Sequence, residues 1–190
     1  MTRVLGVDPG LTRCGLGVVE FDPRAGLALV HYEVIRTPAS DPIEARLHAV
    51  ARGLRAAVAE HRPAAIAIER VFAQNNRSTV MGVAQISGVA LELAASEGIP
   101  VALHTPTEVK AAVTGYGQAD KAQVAEMVRR LLRLEVAPRP ADAADALALA
   151  ICHAWRTRGA GARPADGAAA QTPAQAAWAQ AERRARGARR

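Results

Sequence analysis

Residues Arg3-Val4-Leu5-Gly6-Val7-Asp8-Pro9-Gly10 form a short apolar run that ends in one carboxylate and turns at once on a Pro-Gly pair. A run of this length, closed by a strong turn signal, predicts a buried strand that delivers Asp8 to the edge of a sheet, where solvent or a ligand reaches it. Asp also opens turns before Pro-Gly for purely local reasons, so Asp8 alone reads equally well as a turn residue. The construction then recurs. Ala64-Ala65-Ile66-Ala67-Ile68-Glu69 is a second apolar strand that ends in an acid.

Around these two strands the chain alternates in a way that predicts an α/β fold. Cys14 to Phe21 reads as a second strand, Asp22-Pro23-Arg24-Ala25-Gly26 as a hairpin loop and Leu27 to Ile35 as a third strand, giving an antiparallel meander. Asp41-Pro42-Ile43-Glu44 has the form of a capping box, with Asp41 as the N-cap, and predicts a helix to about His61, whose Leu47, Val50, Leu54 and Val58 recur at intervals of three and four. A long helix is expected over residues 75–98, then a short strand at 99–104. Thr105-Pro106-Thr107-Glu108 opens a helix that Gly115-Tyr116-Gly117 breaks. Further helices are expected from Asp120 to Leu134 and from Ala141 to Arg158. The outcome is a mixed five-stranded sheet, three antiparallel strands followed by parallel ones, flanked by helices.

Gly82 and Gly88 lie inside the 75–98 helix, where each costs roughly 1 kcal/mol relative to Ala, so close backbone approach is expected there, either from a second subunit or from within the chain.

The charge is unevenly distributed. Lys and Arg exceed Asp and Glu by six, yet residues 1–155 carry 16 of each sign, so the excess lies entirely in a tail with eight Arg against Asp166 and Glu182. Residues 1–158 therefore read as one domain, and residues 159–190, mostly Ala, Gly, Pro, Gln and Arg, as a disordered basic tail. A neutral body limits any nucleic-acid surface to a local patch. Cys14 and Cys152 have no spacing partner for a disulfide framework or a zinc finger, which fits a reducing compartment. No signal peptide or membrane span is indicated, and a cytoplasmic protein is expected.

A second acidic element makes the strand-end acids more than turn residues. Arg139-Pro140-Ala141-Asp142-Ala143-Ala144-Asp145-Ala146-Leu147 starts a helix with two acids three residues apart, on one face and about 5–6 Å apart at Cβ. Such a pair serves surface solvation in isolation. If Asp8 and Glu69 end neighbouring strands, however, four carboxylates converge, and a cluster of that kind binds hard divalent cations through oxygen. Two ions about 3.5–4 Å apart activate a water and stabilise the departing 3′-oxygen of a phosphodiester.

Gly6-Val7-Asp8-Pro9-Gly10, Ala67-Ile68-Glu69-Arg70-Val71-Phe72 and Ala141-Asp142-Ala143-Ala144-Asp145-Ala146-Leu147-Ala148 resemble the three acidic motifs of the RuvC-type Holliday junction resolvases, in order and at matching separation over residues 1–155. The resemblance implies a ribonuclease H-like fold and a homodimeric, Mg²⁺-dependent endonuclease, with Mn²⁺ as a substitute ion. It further implies paired symmetric nicks across four-way DNA junctions in recombination and repair, alongside a branch-migration motor (RuvA and RuvB). Asp8, Glu69, Asp142 and Asp145 would be the metal ligands.

Lys110 and Lys121 are the only lysines in the chain, and Lys121 sits at a helix start, where the dipole disfavours a cation. The resemblance gives both lysines DNA-binding or active-site roles, Lys121 among the catalytic residues; solvated surface lysines are the alternative. Phe72 either stacks on an unpaired base or caps the sheet as a core residue, and the resemblance favours stacking. Arg70 and Arg77 are expected phosphate contacts.

Two rivals remain at this point. One is a junction-binding module without cleavage. The other is an actin-like phosphotransferase, because Asp8-Pro9-Gly10-Leu11-Thr12-Arg13-Cys14-Gly15 also resembles a phosphate loop.

Overall fold

A computed structural model describes residues 1–70 and 77–160, with side chains to residue 70 and from 80 to 157. Strands β1 (Thr2–Asp8), β2 (Arg13–Asp22) and β3 (Gly26–Arg36) form the expected meander. They are followed by α1 (Ile43–His61), β4 (Ala65–Glu69), α2 (Arg77–Ser96), β5 (Val101–His104), α3 (Pro106–Thr114), α4 (Lys121–Leu131) and α5 (Ala141–Ala160). The sheet order is β3-β2-β1-β4-β5. β1 is antiparallel to β2 and parallel to β4, and β4 is parallel to β5. Asp8 and Glu69 thus end adjacent parallel strands on the same side of the sheet.

Strand alternation assigns each face its work. Leu5 and Val7 of β1, Ile66 and Ile68 of β4, and Leu16 and Val18 of β2 are buried against Val50, Leu54 and Val58 of α1 and Ile86, Ala90 and Leu93 of α2. Val4, Val19 and Ala67 look the other way, into a core with Val109 and Val113 of α3, Val124 and Val128 of α4, and Leu147 to Cys152 of α5. Asp8 follows Val4 and Gly6 in the two-residue period, and Glu69 follows Ala67. Both acids therefore project from the α5 face.

The packing of α5 onto that face depends on glycine. A Cβ at Gly6 would collide with the Ala146 carbonyl oxygen, one at Gly15 with the Asp142 carbonyl oxygen, and one at Gly17 would lie 2.7 Å from the Leu147 nitrogen. Opposite them, Ala143, Ala144, Ala146, Ala148 and Ala150 are buried. Glycine on the strands and alanine on the helix let two backbones meet almost directly, so the first two turns of α5 lie against β1 and β2, beside the strand end that carries Asp8.

Several boundaries differ from the sequence expectation. The N-cap of α1 is Pro42, with no side-chain cap; Asp41 instead donates its N–H to the Pro38 carbonyl at 3.3 Å, within a turn. Strand β5 begins at Val101 because the N–H of Ile99 is spent on the Ala94 carbonyl at the end of α2. Helix α4 stops at Leu131, and Arg133 adopts a left-handed φ of 55° while the Leu134 N–H returns to the Arg129 carbonyl. Thr105 and Glu108 do form the expected capping box on α3, and Asp120 and Gln123 form one on α4. The expected helix start at Asn75 and the tail at 161–190 lie outside the described residues. Met1–Gly159 is one compact unit.

Candidate active site

Asp8, Glu69 and Asp145 share a cleft of about 260 Å³ with Lys110 and Lys121, floored by Val109, Val124, Ala148 and Leu149 and closed on one side by Pro106. Each group arrives by a local rule. The acids at 8 and 69 are strand ends; Asp145 is on the second turn of α5; Lys110 is on α3 and Lys121 is the first residue of α4. The dipole cost of a cation at that helix start is offset locally, since Lys121 Nζ donates to Asp145 Oδ2 at 2.9 Å. That hydrogen bond is the first cause of an upward shift in the Lys121 pKa.

Asp142 stands one turn earlier and leans to the other side, where Arg13 Nε meets its Oδ2 at 3.2 Å. Lys121 and Arg13 therefore each hold one of the two helix acids. Among the described residues, no three His, Cys, Asp or Glu side chains are close enough as they stand to hold a metal ion.

Burial and mutual repulsion set the electrostatics of the cleft. Burial pushes the Asp8 carboxyl up to about 7, and Glu69, Asp145 and Asp142 push in the same direction, with Lys121 opposing them. Burial also raises Glu69, followed by repulsion from Asp145, against the pull of Lys121 and Lys110. A carboxyl raised toward neutrality, first by burial and then by neighbouring acids, is in surroundings that disfavour its ionised form. The donors are all carboxylate oxygens, the ligand type of Mg²⁺ and Mn²⁺ rather than of zinc.

The remaining residues singled out from sequence divide. Arg70 is exposed, directly after Glu69, and its N–H donates to the His104 carbonyl at 2.7 Å, extending β4 against β5. Phe72 and the side chain of Arg77 lie outside the described residues. Gly82 is explained within the chain, since a Cβ there would be 3.1 Å from Leu11 Cβ; Gly88 faces open space.

Sequence reading missed three features of this site. One is the glycine half of the α5 contact, whose signal is the spacing of Gly15 and Gly17 on the strand beside Gly6. The second is Arg13, which nothing local distinguishes from other surface arginines. The third is His104, paired with Glu69 across β4 and β5, 3 % exposed, and sharing a 3.2 Å hydrogen bond with His153. Burial and the neighbouring His153 lower its pKa to about 4, so it is neutral at physiological pH.

Known proteins resemble this chain over most of its length. The family model described as crossover junction endodeoxyribonuclease RuvC matches residues 4–153. A crossover junction endodeoxyribonuclease RuvC of Leifsonia xyli subsp. xyli is 61 % identical over 191 residues, covering 95 % of this chain and 92 % of the relative. The structure of Thermus thermophilus RuvC in complex with Holliday junction substrate superposes with a TM-score of 0.80 at 37 % identity, over 86 % of this chain and 99 % of that one. The yeast mitochondrial Holliday junction resolvase Ydc2 shares the fold, with a TM-score of 0.59 at 14 % identity over 83 % of this chain and 81 % of that one.

Proposed function

The chain belongs to the crossover junction endodeoxyribonuclease RuvC family, and on that premise we propose that Asp8, Glu69, Asp142 and Asp145 are the metal ligands with which it nicks four-way DNA. It is a metal-dependent endonuclease with a ribonuclease H-like fold that resolves Holliday junctions. The binding-only module and the phosphotransferase are not favoured. The observation that carries the residue assignment is the meeting of two adjacent strand-end acids with the acidic start of a helix docked on glycines.

The ions are Mg²⁺, two per site, with Mn²⁺ as a substitute, and when bound they stabilise charge on the phosphodiester and its leaving 3′-oxygen. Asp8 and Glu69 hold fixed positions because their strands are buried on both faces. Asp142 and Asp145 are set by α5 and become available as Arg13 and Lys121 turn toward phosphate. Near neutrality part of the Asp8 carboxyl holds a proton, which a bound cation would displace. Lys121, freed from Asp145, faces the developing negative charge, and Lys110 holds the same strand from α3. Arg70, Phe72 and Arg77 contact DNA beyond the cleft, Phe72 by stacking at the junction centre.

A homodimer places two such sites with two-fold symmetry on a two-fold substrate. Exposed Met81, Ala84, Gly88, Leu91 and Ala95 form one stripe along α2, a face suited to a second copy. The protein acts in the cytoplasm beside a branch-migration motor (RuvA and RuvB); among the described residues no helix is long and apolar enough to cross a membrane. The arginine-rich segment 159–190 adds non-specific DNA affinity.

Incubating the full chain in Mg²⁺ with a synthetic four-way junction and with linear duplex tests the assignment. Paired nicks confined to the junction, abolished in Asp8→Asn while binding persists, are expected. Cleavage by Asp8→Asn at the wild-type rate overturns it.

A further inference from the structure

We propose that the pocket on the far side of Asp142 is a second phosphate subsite, which holds the phosphodiester next to the scissile one through Arg13 and Arg46. The pocket has a volume of about 330 Å³ and is lined by Gly10, Leu11, Thr12, Arg13, Arg46, Gly82, Val83 and Asp142. Its Asp142 stands one helical turn before Asp145, which lines the carboxylate cleft. This inference rests on the reading of that cleft as the nicking site.

Three observations converge on it. First, the cations here are more than the chain's own acids require. Arg13 meets Asp142 through Nε at 3.2 Å while its side chain stays 58 % exposed. Arg46 makes no ion pair among the described residues. Arg36 stands directly opposite Arg13 in the β2–β3 register, a like-charge pair that is unfavourable unless an anion joins it. Second, the loop is built and held. Arg46 Nε donates to Thr37 Oγ1 at 3.0 Å and Arg46 Nη2 to Thr12 Oγ1 at 2.8 Å, while the buried Thr37 donates its N–H to the Thr12 carbonyl and its hydroxyl to the Leu11 carbonyl. Arg46 Nη1 has no partner among the described residues, so a guanidinium fixed by two threonines offers a free edge. Arg46 also lies in the first turn of α1, where the dipole disfavours a cation; Glu44 is the acid of that turn, and among the described residues it makes no ion pair with Arg46.

Third, the layout suits one strand. Along each DNA strand phosphates recur every ~3.4 Å of axis, so a strand with one phosphate at Asp8, Glu69 and Asp145 sets its neighbours against the walls of the cleft. Lys110 and Lys121 line the cleft, and Arg13 and Arg46 line the pocket at Asp142, one helical turn away from Asp145. The carboxylates are then flanked by cations on both sides, as a polyanion requires if it is to cross an acidic site.

The test couples protein and substrate changes. Junction binding is measured in Mg²⁺ in an Asp8→Asn background, with and without Arg13→Ala and Arg13→Lys, on junctions that carry one neutral methylphosphonate at successive positions around the cut. In the Asp8→Asn protein, neutralising the phosphate next to the scissile one should weaken binding about two- to fivefold, the size of an exposed ion pair. With Arg13→Ala the same neutralisation should have no effect, and Arg13→Lys should restore it. Arg13→Ala should also make the log–log salt dependence shallower by about 0.9, one phosphate contact. A methylphosphonate penalty that persists in Arg13→Ala at every position overturns the subsite. Failure of the wild-type chain to nick the junction refutes the nicking-site reading instead, and the two failures are read in separate assays.

Discussion

Replacing Asp8 by Asn should make the protein more stable while it removes nicking. In the folded chain the Asp8 carboxyl is pushed from 3.8 to about 7, first by burial and then by Glu69, Asp145 and Asp142. A carboxyl whose folded pKa lies above its unfolded value binds protons more tightly in the fold, so stability is greatest below the unfolded pKa and falls as pH rises through the folded one. The window is therefore pH 4 to 7. At 1.36 kcal/mol per unit, about three units place the ionisation cost at pH 8 at up to about 4 kcal/mol. Asn keeps the shape and never ionises. Urea unfolding in chelator should give Asp8→Asn an advantage of about 1–4 kcal/mol at pH 8 that shrinks below about 1 kcal/mol at pH 4.5. Millimolar Mg²⁺ should raise the wild type at pH 8 and leave the variant nearly unchanged. An advantage that does not vary with pH, or a variant less stable than wild type at pH 8, refutes the reasoning.

Lys121→Met breaks only an exposed ion pair with Asp145, so chemical denaturation should move by less than about 1 kcal/mol, while single-turnover nicking should fall about 10²-fold. Gly15→Ala pushes a methyl into the Asp142 carbonyl; unfolding should become easier by about 1–3 kcal/mol and nicking should fall with it, whereas an undisturbed thermal melt would show that α5 is not docked as described. At Gly88, where the fold leaves open space, a Trp should leave the monomer's melting behaviour intact and shift sedimentation toward monomer; an unchanged sedimentation profile removes α2 as the interface.

The strands, the starts of α3 and α4, and the placing of Asp8 and Glu69 at strand ends were legible because each rests on local rules: a two-residue period, an N-cap chemistry, an acid closing an apolar run. Long-range packing was not. That α5 lies on β1 and β2 depends on Gly6, Gly15 and Gly17 meeting Ala146, Asp142 and Leu147 across more than a hundred residues, and a single sequence does not pair them. The α1 start was misplaced by one residue because Asp41-Pro42 satisfies two motifs, a turn and a cap, and the Pro38 carbonyl settles the choice. Arg13 and Arg46 gave no signal, since their meaning lies in the neighbours that fixation of the Gly10–Arg13 loop brings together.

Counting bound ions tests the central claim most directly. Free Mn²⁺ measured by electron paramagnetic resonance, in titrations of the full chain bound to a four-way junction, should show two ions per chain. Glu69→Gln and Asp145→Asn should each lose at least one, and affinity should rise as pH passes through about 7 and Asp8 gives up its proton. A wild-type chain that binds no Mn²⁺ on the junction, or variants that bind as many ions as wild type, would contradict the assignment of these four carboxylates as one metal site.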